Sequence, residues 1–264
     1  MTHLIKTPAA DGFNRIFDIG EKGMAMTGFG LLKLAPGEDW SVNSGEKELV
    51  LVVLGGTCNA EAGGKDFGVI GARKDVFSGD PYTLYIPPQC EVKLTGQSAV
   101  EVAIAESPCD KSGEPVLYTA DDVKDTYMKL GKDGCQREAV IMIGDDAPAQ
   151  HLFVGEAWVP SANWASYPPH RHDFHNPPGE LDMEELYFYR FNPSTGFGLQ
   201  LIYTDDTSTD VAYPVRENDT IVIPEGYHPT VNTPGYTMYY LWVMAGHERG
   251  FKRYEDPVHA ARMQ

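Results

Sequence analysis

Twice along its 264 residues the chain sets a glutamate directly before a run of strand-forming residues, with a later strand that ends in proline. In the first half Glu48 precedes Leu49-Val50-Leu51-Val52-Val53-Leu54, closed by Gly55-Gly56, and Tyr85-Ile86 runs into Pro87-Pro88. In the second half Glu185 precedes Leu186-Tyr187-Phe188-Tyr189, and Val222-Ile223 runs into Pro224-Glu225. The order matches, with Glu48 opposite Glu185, so the chain reads as two copies of one β-module. Other strand signals fit between these. Residues 100–105 alternate, residues 197–203 end at Thr204-Asp205-Asp206, and residues 236–244 are rich in Tyr and Trp. The 27 glycines and 19 prolines supply turns for short strands rather than long helices. The expectation is an all-β fold of two tandem β-barrels with few short helices. An N-terminal module would span 1–110, a connecting segment 111–150 and a C-terminal module 151–264. Thr119 is placed to cap a short helix over Asp121-Asp122. Residues 173–182, with two prolines and a glycine, read as a loop at the mouth of the second module.

The formal net charge of −17 argues against nucleic acid and anionic membranes as partners. An anionic substrate would therefore need a locally placed Arg, Lys or metal. Cys58, Cys90, Cys109 and Cys135 form no C-x-x-C pair and read as reduced and partly buried. The N-terminus lacks a signal-peptide stretch, and no run approaches the ~20 apolar residues of a membrane helix. A cytoplasmic protein is expected.

The chemistry concentrates in the second copy. His170-Arg171-His172 puts two imidazoles on one face of a strand and Arg171 on the other, because alternate side chains share a face. Glu184-Glu185 and then Pro224-Glu225-Gly226-Tyr227-His228 add a carboxylate and a third imidazole. Three His and one carboxylate suit a divalent first-row metal with positions left open for substrate. The first copy has no histidine at the corresponding places, so only one module is equipped. His3, His151 and His247 read as ordinary polar residues, and His175 as an exposed or lid residue.

His-x-His, a spacer, Glu-Leu-x-Phe-Tyr and Pro-x-Gly-x-His resemble the two motifs of the cupins. That resemblance implies a bicupin, two double-stranded β-helix (jelly-roll) domains, with His170, His172, Glu185 and His228 as ligands. Glu185 is preferred to Glu184 because it stands directly before Leu-x-aromatic-aromatic. The spacer before Glu185 is longer than usual, and Gly226 lies one residue closer to His228 than in the common form.

A closer resemblance is carried by Trp164 through Asp173, Glu184 through Phe191, Gly196 through Gln200, Tyr203 through Asp206, Pro224 through Pro229 and Asp256 through His259. These stretches look like the bacterial 5-deoxy-glucuronate isomerases of myo-inositol catabolism, relatives of the 4-deoxy-hexuronate isomerases. The implied reaction converts 5-deoxy-D-glucuronate, a small sugar acid, to 5-dehydro-2-deoxy-D-gluconate. It is an aldose–ketose isomerisation assisted by one divalent metal, Zn or Mn foremost. Tyr187 and Tyr189 share the inward face of Glu185 and, with Gln200, are the candidate catalytic residues. Arg171 and Arg190 could pair with a substrate carboxylate, but strand parity turns both outward, toward salt bridges outside the barrel. The same ligands could serve an iron-dependent dioxygenase or a non-catalytic sugar-binding cupin, and they do not decide between these. Oligomeric state is left open, a homo-oligomer being possible.

Overall fold

The computed structural model describes residues 2–7 and 10–263. Its framework is four β-sheets in two pairs. A six-stranded sheet pairs with a four-stranded one in the N-terminal half, and a seven-stranded sheet pairs with a four-stranded one in the C-terminal half. Each pair closes on its own apolar core, which gives two jelly-roll barrels. The outer faces of the two large sheets then pack on each other and enclose a third core. The expected all-β bicupin is the architecture found.

This back-to-back packing explains why the central strands read as unbroken apolar runs. In the strand Lys47–Gly55, Leu49, Leu51 and Val53 fill the N-terminal barrel, while Val50, Val52 and Leu54 fill the core between modules. In Glu184–Asn192, Tyr187, Tyr189 and Phe191 face the C-terminal barrel, while Leu186 and Phe188 face the junction. Strands buried on both faces cannot alternate with polar residues.

Two glutamates clasp the modules reciprocally. Glu48 accepts the backbone N–H groups of Gln150, His151 and Leu152 at 2.6, 2.8 and 2.8 Å. Glu184 accepts those of Ala25, Met26 and Thr27 at 2.6, 3.0 and 2.7 Å. In both cases the donors lead into a strand of the other module's large sheet, Leu152–Val159 and Gly28–Leu34. The structural counterpart of Glu48 is therefore Glu184, and Leu49 stands where Glu185 stands. The pairing of Glu48 with Glu185 expected from sequence is one residue out of step, which on a strand is the opposite face. A buried Arg73–Glu156 pair, with Arg73 Nη1 to Glu156 Oε2 at 2.9 Å and the Tyr239 hydroxyl adding a bond at 2.7 Å, ties the same junction.

Sheet membership crosses the boundaries drawn at 110 and 150. The first strand, Leu4–Lys6, pairs with Asp219–Ile223 at one edge of the C-terminal seven-stranded sheet. Val116–Tyr118 extends the N-terminal sheet beside Thr83–Ile86. Met128–Leu130 and Arg137–Ile143, inside the supposed connector, form the other edge of the seven-stranded sheet. The short helix Ala120–Val123 follows Thr119 as expected, with the Asp122 carboxylate accepting from the Thr119 N–H and hydroxyl. All four cysteines are buried and free. No helix of the described residues is long and apolar enough to cross a membrane.

Candidate metal centre and substrate cavity

The four residues proposed as ligands arrive from three segments of the C-terminal barrel. His170 lies on the two-residue strand His170–Arg171, which pairs with Tyr254–Glu255 of the C-terminal segment. His172 follows it at the start of the loop, Glu185 lies on Glu184–Asn192, and His228 lies just before Thr230–Asn232. All four are buried. Each imidazole is oriented through Nδ1 against a backbone carbonyl. His172 is 2.6 Å from the Met183 oxygen, His228 is 2.8 Å from that of Gly226, and His170 is 3.4 Å from that of Pro168. A proton held on Nδ1 leaves the Nε2 lone pair free.

The free nitrogens converge. Ligand atoms of His170, His172 and His228 lie within 4.8 Å of one another. Glu185 Oε2 lies 3.1 Å from His172 Nε2 and 3.0 Å from His228 Nε2. His228 Nε2 is fully buried and makes no hydrogen bond despite that proximity. A lone pair facing a carboxylate oxygen is unfavourable unless a cation lies between them. Three imidazoles and one carboxylate around one point are a donor set that fits a divalent metal.

The electrostatics agree. Burial, reinforced by the neighbouring His228, pushes His170 well below its usual value and keeps it neutral. Burial also opposes charge on His172, but the hydrogen bond and charge of Glu185 outweigh it and raise its pKa. Burial would raise Glu185, yet the imidazoles of His172 and His228 hold it at about 2. A divalent metal held by these residues would compete with a proton for His172 and Glu185.

Gly226 shows why the shortened Pro-x-Gly-x-His spacing works. Its φ of +94° suits glycine, its N–H donates to Asp173 Oδ2 at 2.6 Å, and its carbonyl aims His228. A Cβ there would stand 2.8 Å from the Tyr203 carbonyl oxygen.

Beside the cluster lies a cavity of ≈ 280 Å³. Its polar lining is Ser166, His170, Glu185, Tyr187 and Tyr240, its apolar wall includes Met128, Leu130, Ile141, Trp242 and Phe251, and Arg137 and Arg253 complete it. The space exists because Ala139 and Ala157 face each other across neighbouring strands. Gly155, two residues before Ala157 on the same strand, lets Trp242 lie flat where a Cβ would come within 2.1 Å of the indole. A larger cleft of ≈ 410 Å³ at the module junction contains none of the four residues.

The three candidate catalytic residues separate. Tyr187 lines the cavity, its hydroxyl 2.7 Å from Ser166 Oγ, and burial pushes the phenol well above its ordinary value. Tyr189 and Gln200 face inward as expected but do not reach the cavity. The Tyr189 hydroxyl is spent on Gln200 Oε1 and on Thr230 Oγ1. Gln200 Nε2 donates to the carbonyls of His228 and Pro229 at 2.8 and 3.2 Å. Both therefore position the His228 backbone. Replacing Gln200 by Leu strands those carbonyls; the expected result, read by metal titration, is a metal affinity weakened by about 10- to 100-fold with the fold retained.

Arg171 and Arg190 lie outside the barrel, as parity requires. Arg171 pairs with Glu180 and Asp205, and Arg190 with Glu101 across the junction and with Glu217 of its own module. Glu184 is committed to the clasp. His175 is exposed, near Glu248. His3 and His151 are held through Nδ1 by the carbonyls of Val222 and Gly246. Sequence reading missed Ser166, Arg137 and Arg253. The available signal was the acidic balance of the chain, which requires local cations at any anion site.

Fold and site together define a two-module cupin with one His–carboxylate cluster beside a cavity. The KduI/IolB family signature matches residues 3–262. The chain is 36% identical to the 5-deoxy-glucuronate isomerase of Geobacillus kaustophilus over 238 residues, covering 90% of this chain and 86% of that one. It is 33% identical to the 5-deoxy-glucuronate isomerase of Bacillus subtilis strain 168 over 267 residues, 98% of each. The crystal structure of an IolB-like protein from Salmonella typhimurium LT2 superposes with a TM-score of 0.94 at 32% identity, covering 99% of both chains. Bacillus subtilis oxalate decarboxylase shares the fold alone, with a TM-score of 0.66 at 9% identity over 96% of this chain and 79% of that one. The chain belongs to the KduI/IolB family, and it is an isomerase.

Proposed function

We propose that the chain isomerises 5-deoxy-D-glucuronate to 5-dehydro-2-deoxy-D-gluconate, with a divalent metal, Zn or Mn, held by His170, His172, Glu185 and His228. The observation that carries this reading is the convergence of four buried donors beside a cavity in a chain whose relatives are 5-deoxy-glucuronate isomerases. The role would be that of a cytoplasmic enzyme in myo-inositol catabolism.

A divalent metal at this cluster supplies Lewis-acid polarisation of a carbonyl and its neighbouring hydroxyl. The chain supplies the rest. Tyr187, kept protonated by burial and hydrogen-bonded to Ser166, offers its hydroxyl to a substrate oxygen at the cavity wall. Trp242, Phe251 and Ile141 exclude water from the carbon that loses its proton. The proton leaves the carbon beside the aldehyde and one returns to the aldehyde carbon, so no oxidant is consumed.

The test is turnover of 5-deoxy-glucuronate under strict exclusion of oxygen. Ketose should form at the aerobic rate, and chelation should stop it. A requirement for oxygen would instead identify a dioxygenase. Tight binding without turnover in the metal-replete protein would identify a sugar-binding cupin.

A further inference from the structure

The strand Arg137–Ile143 turns Arg137, Ala139 and Ile141 toward the cavity, while Glu138 between them faces away, 3.3 Å from Lys129. Arg137 is half-buried, and its one hydrogen bond is to the Cys135 carbonyl at 3.4 Å. Among the described residues no carboxylate lies within ion-pair distance of it, although the chain carries 38 acidic side chains against 21 basic ones. The other cation of the cavity differs. Arg253 is already bridged to Glu255 at 3.2 Å and lies over the Phe251 ring. Arg249 also lacks a carboxylate partner, but the carbonyls of Gly144, Asp145 and Ala147 use its guanidinium. Arg137 thus keeps most of its donors unspent in a cavity that His170 and Glu185 of the cluster also line. A guanidinium presents parallel N–H groups that fit a carboxylate.

We propose that Arg137 holds the substrate's carboxylate and makes this cavity select a sugar acid over the corresponding neutral sugar. The inference rests on the isomerase reading above. The metal cluster takes the aldehyde end of the molecule, and Arg137 takes the acid end. Arg253 contributes to the field without being the anchor, because Glu255 neutralises it.

The experiment compares 5-deoxy-glucuronate with its C6 amide, using wild type, Arg137→Gln, Arg137→Lys and Arg253→Gln. Wild type should favour the acid. Arg137→Gln should raise KM for the acid by about 10- to 100-fold, leave the amide unchanged and keep its bound metal. Arg137→Lys should recover part of the preference, and Arg253→Gln should retain most of it. A preference that survives in Arg137→Gln, or an equal loss on acid and amide, overturns the proposal. Calorimetric binding of D-glucuronate to wild type and Arg137→Gln decides the matter without turnover. Weaker binding to the variant supports the proposal, and equal affinity refutes it. Wild type that binds glucuronate through Arg137 but isomerises neither compound would overturn the isomerase reading and leave this inference standing.

Discussion

Replacing His172 by Ala is expected to leave the protein without bound metal and to lower kcat/KM by a factor of about 1000 or more, ~4 kcal/mol of lost transition-state stabilisation. His172 is the hub of the cluster. Its Nε2 faces Glu185 at 3.1 Å, and its Nδ1 anchors it to the Met183 carbonyl at 2.6 Å. Without it the Glu185 carboxylate stays buried with only His228 beside it, and the donor set falls from four to three. Elemental analysis and steady-state kinetics read the two effects together. His172→Gln keeps the side chain's bulk, and it should lose metal and activity as well, which separates loss of the ligand from loss of the fold. Either variant retaining full activity would remove the cluster from the mechanism.

The second large effect concerns stability and leaves the chemistry alone. Glu48→Ala is expected to destabilise the protein by about 3–5 kcal/mol, because the N–H groups of Gln150, His151 and Leu152, part-buried or buried, lose a fully buried carboxylate acceptor together. At the usual scaling for a chain of this size, the melting temperature falls by roughly 10 °C. Glu48 is fully buried, also accepts the Tyr85 hydroxyl at 3.2 Å, and belongs to the module without metal ligands. Below its lowered melting temperature the variant should therefore isomerise at the wild-type rate. A melting temperature within a degree or two of wild type would show that the clasp does not hold the modules together.

What the sequence made legible follows from alternation. Period-2 parity, with the Leu-x-aromatic-aromatic context, separates Glu185 from Glu184, turns Arg171 and Arg190 outward and puts Tyr187 in the barrel. Parity gives the face of a strand but not the depth along it. Tyr189 shares the inward face with Tyr187 yet sits beyond the cavity, its hydroxyl consumed by Gln200 and Thr230. Arg137 was hidden for another reason. It stands on Arg137–Ile143, inside the stretch read as a connecting segment, so its pairing with Leu152–Val159 in the C-terminal sheet was not anticipated. The exchange of edge strands was equally illegible, since Leu4–Lys6 and Val116–Tyr118 are three residues each, too short to show a period. The one-residue slip at Glu48 arose because glutamate precedes both apolar runs, and two adjacent glutamates in the second copy offered two alignments. Only the hydrogen bonds choose between them.

The most direct measurement is reconstitution. Protein stripped of metal is titrated with Zn or Mn while isomerisation of 5-deoxy-glucuronate is followed. Activity is predicted to be absent at the start, to rise in proportion to added metal and to break at one equivalent per chain. Stripped protein that isomerises at the full rate, or that takes up metal at His170, His172, Glu185 and His228 without gaining activity, would contradict the account.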